Sequence, residues 1–117
     1  MSALQLLRND QDLIRISKEQ VVFQAGDPGD TMYVVLDGEI NIVYRDAVIE
    51  TIGVGGIFGE MALIDAQPRS ATAIAKTDAQ IARLTEQRFQ FLVQYSPYFA
   101  IEVMRVMARR LRARMEA

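Results

Sequence analysis

With 117 residues, half of them apolar and 24% charged, the chain has the make-up of one globular domain built round a single core. The absence of cysteine and histidine excludes disulfides, thiol nucleophiles, imidazole bases and the common zinc or iron sites, and the carboxylates that remain show no EF-hand spacing. The net charge of −2 is uneven: residues 1–104 carry 8 basic and 14 acidic groups, a net −6, while residues 105–117 carry five arginines and one glutamate, a net +4. Such an acidic body argues against general nucleic-acid binding, so the basic end is weighed separately.

No apolar run reaches the ~18 residues that a membrane span needs, and the N-terminus lacks a signal-peptide profile, so a cytoplasmic location is expected. Ala3 to Arg8 have room for one or two helical turns. From Leu13 to Leu84 short strands alternate with turn signals, the pattern of an all-β roll or barrel. In "AGDPGD" Pro28 presets φ, and Gly29 is expected to take the positive φ of a type II turn. "TMYVVLDGEINIVYRD" reads as a hairpin turning at Asp37-Gly38, with Met32, Val34 and Leu36 on one face and Ile40, Ile42 and Tyr44 continuing beyond the turn. Glycines 53, 55 and 56 interrupt this pattern, and residues 71–76 and 79–84 then read as strands around Thr77-Asp78.

The last third changes period. "TEQRFQFLVQYS" is a helix capped by Thr85, with Phe89, Leu92 and Phe91 as its inner side. Pro97 opens a second helix, at a position where proline is tolerated. There Met104, Met107 or Ala108, Leu111 and Met115 recur at helical spacing. The expected fold is mostly β with flanking helices: an antiparallel, jelly-roll-like β-roll over 13–84, preceded by a segment 1–12 and followed by two helices over 85–117, all one domain.

"IFGEMALIDAQPRSATAIA", residues 57–75, fits neither strand nor helix throughout. Gly59 lets the backbone come close to a ligand. A helical turn beginning at Glu60 leaves N–H groups unpaired at its positive end, which suits an anion. Arg69 adds a permanently charged planar fork for phosphate oxygens, and Glu60 is an acceptor for sugar hydroxyls. An anion-binding arginine with a hydroxyl-accepting carboxylate describes a sugar phosphate or nucleotide. On its own Arg69 would be a surface arginine, and Glu60 a carboxylate favoured by the helix dipole.

"GEMAL" followed by "PRSATA" resembles the phosphate-binding cassette, here residues 58–70, of the cyclic nucleotide-binding domain. This is the β-roll module of catabolite-activator-type regulators, cyclic-nucleotide-dependent kinases and cyclic-nucleotide-gated channels. "VVFQAGDPGDTMYVVLDGEINI" resembles the family's early strands, with Gly26, Gly29, Asp30 and Gly38 in place, and the two terminal helices resemble its hinge and lid. The resemblance implies that Glu60 receives the ribose 2′-hydroxyl and that Arg69 pairs with the cyclic phosphate. It also implies backbone donors near Met61, Ala62 and Ser70, with Gly59 shaping the cradle and Phe58 and Ala71 as candidate pocket lining. Ser70 is compatible with either base, and cyclic AMP is favoured over cyclic GMP. The family often has glycine where Glu19 stands, and no helix-turn-helix, kinase or channel segment follows the last helix.

Some features keep two readings. Ala71 and Ala73 either pack against neighbouring strands or leave room for ligand. The methionine stripe packs against the roll, covers the base or meets a second subunit. The terminal arginines form a solvated face or a docking site for an acidic partner, with DNA a distant third. As a whole, the chain is expected to be a non-enzymatic cyclic-nucleotide sensor without cofactor or metal. It would signal through its C-terminal helices to a homodimer partner across the last helix or to a separate effector. The alternative is a nucleotide-insensitive roll used for protein interaction or dimerisation. A cupin-type enzyme would need metal-binding histidines, which the chain lacks.

Overall fold

The computed structural model describes residues 7–8 and 13–116. Leu7 and Arg8 are helical; the rest of the expected N-terminal turns, Ala3 to Leu6, lies outside the described residues. Six strands come first: β1 (Leu13–Ile16), β2 (Val21–Phe23), β3 (Met32–Asp37), β4 (Ile40–Tyr44), β5 (Ala47–Ile52) and β6 (Ile57–Phe58). A short helix α1 (Glu60–Asp65) precedes β7 (Thr72–Ala75) and β8 (Ala79–Leu84), and α2 (Glu86–Tyr95) and α3 (Pro97–Glu116) complete the chain. The strands form two four-stranded antiparallel sheets, ordered β1-β8-β3-β6 and β2-β7-β4-β5. The antiparallel roll with two C-terminal helices is therefore present.

Strand β3 shows why the layers stack as they do. Its apolar residues occupy both parities, so both of its faces need cover. Met32, Val34 and Leu36 pack with Leu84, Leu92, Phe99 and Val103 beneath the helices. Tyr33 and Val35 pack with Ile40, Phe58, Ala73 and Ile81 between the sheets. The first sheet is thus the middle layer, buried on both sides.

The hairpin expected at Asp37-Gly38 is not formed. β3 pairs with β8 and β4 with β7, so the chain changes sheets at this turn. Residues 76–78 turn the same corner alongside: Glu39 N–H donates to Thr77 Oγ1 at 3.1 Å and Lys76 N–H to Glu39 O at 3.0 Å. A Cβ on Gly38 would collide with the Asp78 carbonyl oxygen. Local turn residues are the same for a hairpin and a corner; the difference lies in partners some forty residues away. The tight hairpin is instead β4–β5, where Tyr44 opposes Ala47 and Arg45-Asp46 form the loop with φ of 50° and 65°. Neither is glycine or asparagine, so that loop carried no signal.

Thr85 caps α2 as expected, accepting from Arg88 N–H at 3.2 Å. Leu92 is buried and Phe89 packs with it, but Phe91 is exposed, with the Arg88 guanidinium 4.9 Å from its ring centre. In α3 the inner side is Phe99, Val103, Val106 and Met107, whereas Met104 and Leu111 face outward. Two apolar stripes run along this helix, and the one carrying Phe99 wins because its ring packs on Phe89 at 5.8 Å. The Met115 side chain lies outside the described residues.

Candidate functional site

Residues 57–75 cross the edge of the roll. Phe58 pairs with Tyr33, and the chain then leaves the sheet at Gly59 with φ 75° and ψ 11°. That conformation suits glycine, and a Cβ here would also lie 2.8 Å from Arg69 Nη1. Helix α1 ends at Ala66, whose N–H donates to Ala62 O at 3.1 Å. Glu60 and Ala62 are buried in it, whereas Met61 and Ser70 are exposed.

Arg69 is 7% exposed, and the β2–β3 turn is shaped round it. Gly26 N–H donates to Arg69 O at 2.7 Å, and Arg69 N–H donates to Asp27 O at 2.9 Å. Gly29 does not adopt the expected positive φ; Gly26 does, at 90°. Gly29 is glycine for another reason, since a Cβ there would sit 2.6 Å from Arg69 Cζ. The guanidinium stacks over Phe23 at 4.2 Å and lies 5.8 Å from the Tyr33 ring centre. Phe58, 1% exposed, and Tyr33 stack at 5.1 Å in the same aromatic group. Arg69 Nη1 donates to Gly59 O at 2.9 Å and Nη2 to Thr31 Oγ1 at 3.3 Å. Among the described residues its buried Nε has no hydrogen-bond partner. Burial lowers the Arg69 pKa, against the pull of Asp30, Asp27 and Glu60; an arginine so placed stays charged. A buried cation with an unpaired donor is suited to an anion.

Glu60, 4% exposed, is held from the other side. Arg110 of α3 donates from Nη1 to Glu60 Oε1 at 2.6 Å. The same guanidinium meets Glu50 through Nε at 2.9 Å and Nη2 at 3.2 Å, and Nη2 also donates to Ile57 O at 2.7 Å. Among the described residues Glu60 Oε2 accepts no hydrogen bond. Burial works against the charge on Arg110, but its hydrogen bonds to Glu50 and the charge of Glu60 outweigh it and raise its pKa. A cavity of about 140 Å³ adjoins this cluster, between residues 50–57 of the roll and Val106, Arg109 and Arg110 of α3.

Sequence reasoning singled out Glu60 and Arg69 but left Arg110 in a cluster read as a solvated face or a docking site for an acidic partner. The signal was its phase: Arg110 follows Val103 by seven residues and Val106 by four, on the inner stripe of α3. Glu50, Thr31, Phe23 and Tyr33 were also missed. Ala71 is 9% exposed, and Ala73 is fully buried between the sheets. Arg105 bonds the Tyr98 hydroxyl at 2.6 Å, Arg112 is exposed, and the Arg114 side chain lies outside the described residues. Among the described residues no cluster of carboxylates could hold a metal ion, and no helix is long and apolar enough to cross a membrane.

The sequence profile of the cyclic nucleotide-binding domain matches residues 13–96. The cyclic nucleotide-gated potassium channel mll3241 of Mesorhizobium japonicum is 40% identical over 80 residues, which are 68% of this chain and 22% of the channel. A CRP-like cAMP-activated global transcriptional regulator of Mycobacterium tuberculosis is 26% identical over 116 residues, covering 95% of this chain and 52% of the regulator. The chain thus spans about a fifth of that channel and about half of that regulator. A solved structure described under a cyclic-GMP-dependent signalling pathway that regulates bacterial phytopathogenesis superposes with a TM-score of 0.75 at 29% identity, covering 95% of this chain and 94% of that one. With its profile match spanning the roll and the first C-terminal helix, the chain belongs to the cyclic nucleotide-binding domain family.

Proposed function

We propose that this chain is a non-enzymatic cyclic-nucleotide sensor whose C-terminal helices change position on binding. The observation that carries this reading is the pair Glu60 and Arg69: both are buried, at opposite ends of one short segment, and among the described residues each keeps one polar atom uncommitted. The Arg69 guanidinium, with Nε free, would take the cyclic phosphate, helped by backbone N–H groups near Met61, Ala62 and Ser70. Glu60 Oε2 would accept the ribose 2′-hydroxyl, and Gly59 would keep the cradle open between them. Cyclic AMP is the favoured ligand; the names of the relatives mention cyclic AMP and cyclic GMP alike. Ligand shifts the helices only through unequal affinity for their two arrangements.

An output needs a partner, and we place a second copy of the chain against α3 in the cytoplasm, or a separate effector there. Ile101, Met104, Ala108 and Leu111 form an exposed stripe at alternating spacings of three and four residues, which supports helix pairing.

Calorimetry with cyclic AMP and cyclic GMP on the wild type and on Arg69→Ala tests the site. A buried phosphate deprived of its charge partner loses ~3–5 kcal/mol, on the order of a hundred- to several-thousand-fold in affinity. Equal affinities for the two proteins would remove the assignment, and a wild type that binds neither nucleotide would favour the interaction-module alternative.

A further inference from the structure

The exposed stripe of α3 has a flank, and the flank is charged. Ile101, Met104, Ala108 and Leu111 fall on the first and fourth places of a seven-residue repeat, which form the seam of a helix pair. Tyr98, Arg105 and Arg112 stand seven residues apart in one row along the outer side of that seam, and all three are exposed. Tyr98 and Arg105 are joined: the guanidinium donates to the hydroxyl at 2.6 Å and lies 5.5 Å from the ring centre. The row on the other side is Ala100, half-buried, and Met107, which packs against the core beneath the helix. One side of the seam therefore abuts the roll, and the side left open carries two cations and a phenol.

Charges flanking such a seam set the choice and orientation of the partner helix. In a parallel pair of identical helices Arg105 of one copy would face Ala100 of the other, and Arg112 would face Met107. In an antiparallel pair the two arginine rows would face each other. Neither arrangement offers the cations a carboxylate, and the second sets like charges together, which is costly. Glu102 lies one row further round the helix, with Arg109. A lipid surface fits less well, because the net charge of −6 over residues 1–104 opposes an anionic membrane.

We propose that the exposed seam of α3 binds an amphipathic helix with an acidic flank, supplied by a different protein. Its apolar residues would cover Ile101, Met104, Ala108 and Leu111, and its carboxylates would pair with Arg105 and Arg112. The inference rests on the reading of this stripe as a helix-pairing face, and between a second copy and a separate effector it selects the effector.

Three synthetic helical peptides, titrated into the full chain by fluorescence anisotropy, test it. One has a leucine and isoleucine seam with glutamate flanks, one the same seam with lysine flanks, and one the composition of the first in scrambled order. At low salt the glutamate-flanked peptide should bind about five- to thirtyfold more tightly than the lysine-flanked one. High salt should shrink the difference, and Arg105→Gln combined with Arg112→Gln should remove most of it. Met104→Glu should abolish binding of both seam peptides, and at 54% exposure Met104 can be changed without unfolding the domain. Equal affinity for the two seam peptides, or equal binding of the scrambled one, would overturn the acidic helix as partner. So would a dimer of the chain in sedimentation equilibrium that Met104→Glu dissolves, or binding to phosphatidylserine vesicles that Met104→Glu abolishes. A second copy or a lipid surface would then be the occupant. Failure of both seam peptides to bind, with sedimentation unaltered by Met104→Glu, would remove the pairing face itself and this inference with it.

Discussion

Arg69 and Glu60 are both nearly buried, but the contacts that hold them come from different parts of the molecule. Arg69 is enclosed by the roll alone: the turn at Gly26 to Gly29, the Thr31 hydroxyl, the Phe23 ring and the carbonyl of Gly59. Glu60 depends on Arg110, which arrives on the last helix. The cation at one end is therefore built into the β-framework, and the carboxylate at the other is completed from outside it. The two side chains are thus held by different elements, one by the β-framework and the other by the last helix.

Variants at each end should separate the two. Below the loss expected for Arg69→Ala, Gly29→Ala should have the next largest effect at the framework end. The added methyl would meet the Arg69 guanidinium, lowering stability by ~1–3 kcal/mol and displacing the cation. Nucleotide affinity measured by calorimetry should fall by about tenfold or more, with amide hydrogen exchange over residues 106–113 unchanged; wild-type affinity would mean that the framework does not set the cation. Glu50→Gln probes the helix end more gently. Glu50 is 40% exposed, so its loss should weaken the hold on Arg110 by only ~0.5–1 kcal/mol. A few-fold loss of nucleotide affinity together with faster exchange in α3 is the expected result, and faster exchange without any loss of affinity would uncouple the helix from the site. Glu19→Gly should be smallest and should touch neither end. Glu19 sits at φ 70°, where glycine is at ease, so urea unfolding should show a gain of about 0.5 kcal/mol with binding unaltered. A change in nucleotide affinity would show that this turn is not isolated from the site.

The features that the sequence revealed were those with local causes. Gly59, Pro68 and Arg69 mark the irregular segment between β6 and β7 within a dozen residues, and Thr85 and Pro97 mark the helix starts. What stayed hidden depended on distant partners. Gly29 was read as a turn glycine, although its reason is a guanidinium forty residues on. Asp37-Gly38 was read as a hairpin, although it is a corner between sheets. Arg110 looked like one more solvated arginine because Glu60 is fifty residues earlier in the chain. The inner side of α3 stayed open because two apolar stripes compete and only the packing of Phe99 decides between them.

The paired corners carry a consequence for how such a chain can change. Strands β3 and β4 run alongside β8 and β7 as one long ribbon that bends where residues 37–39 meet residues 76–78. Everything from Arg45 to Ala71, including α1 and Arg69, is the loop that this ribbon closes. Loop closure costs grow only slowly, by ~0.6 kcal/mol for each doubling of length. Insertions in the connections of that segment, outside β5 and β6, are therefore cheap for folding, and new ligand preferences can be tried there without rebuilding the sheets.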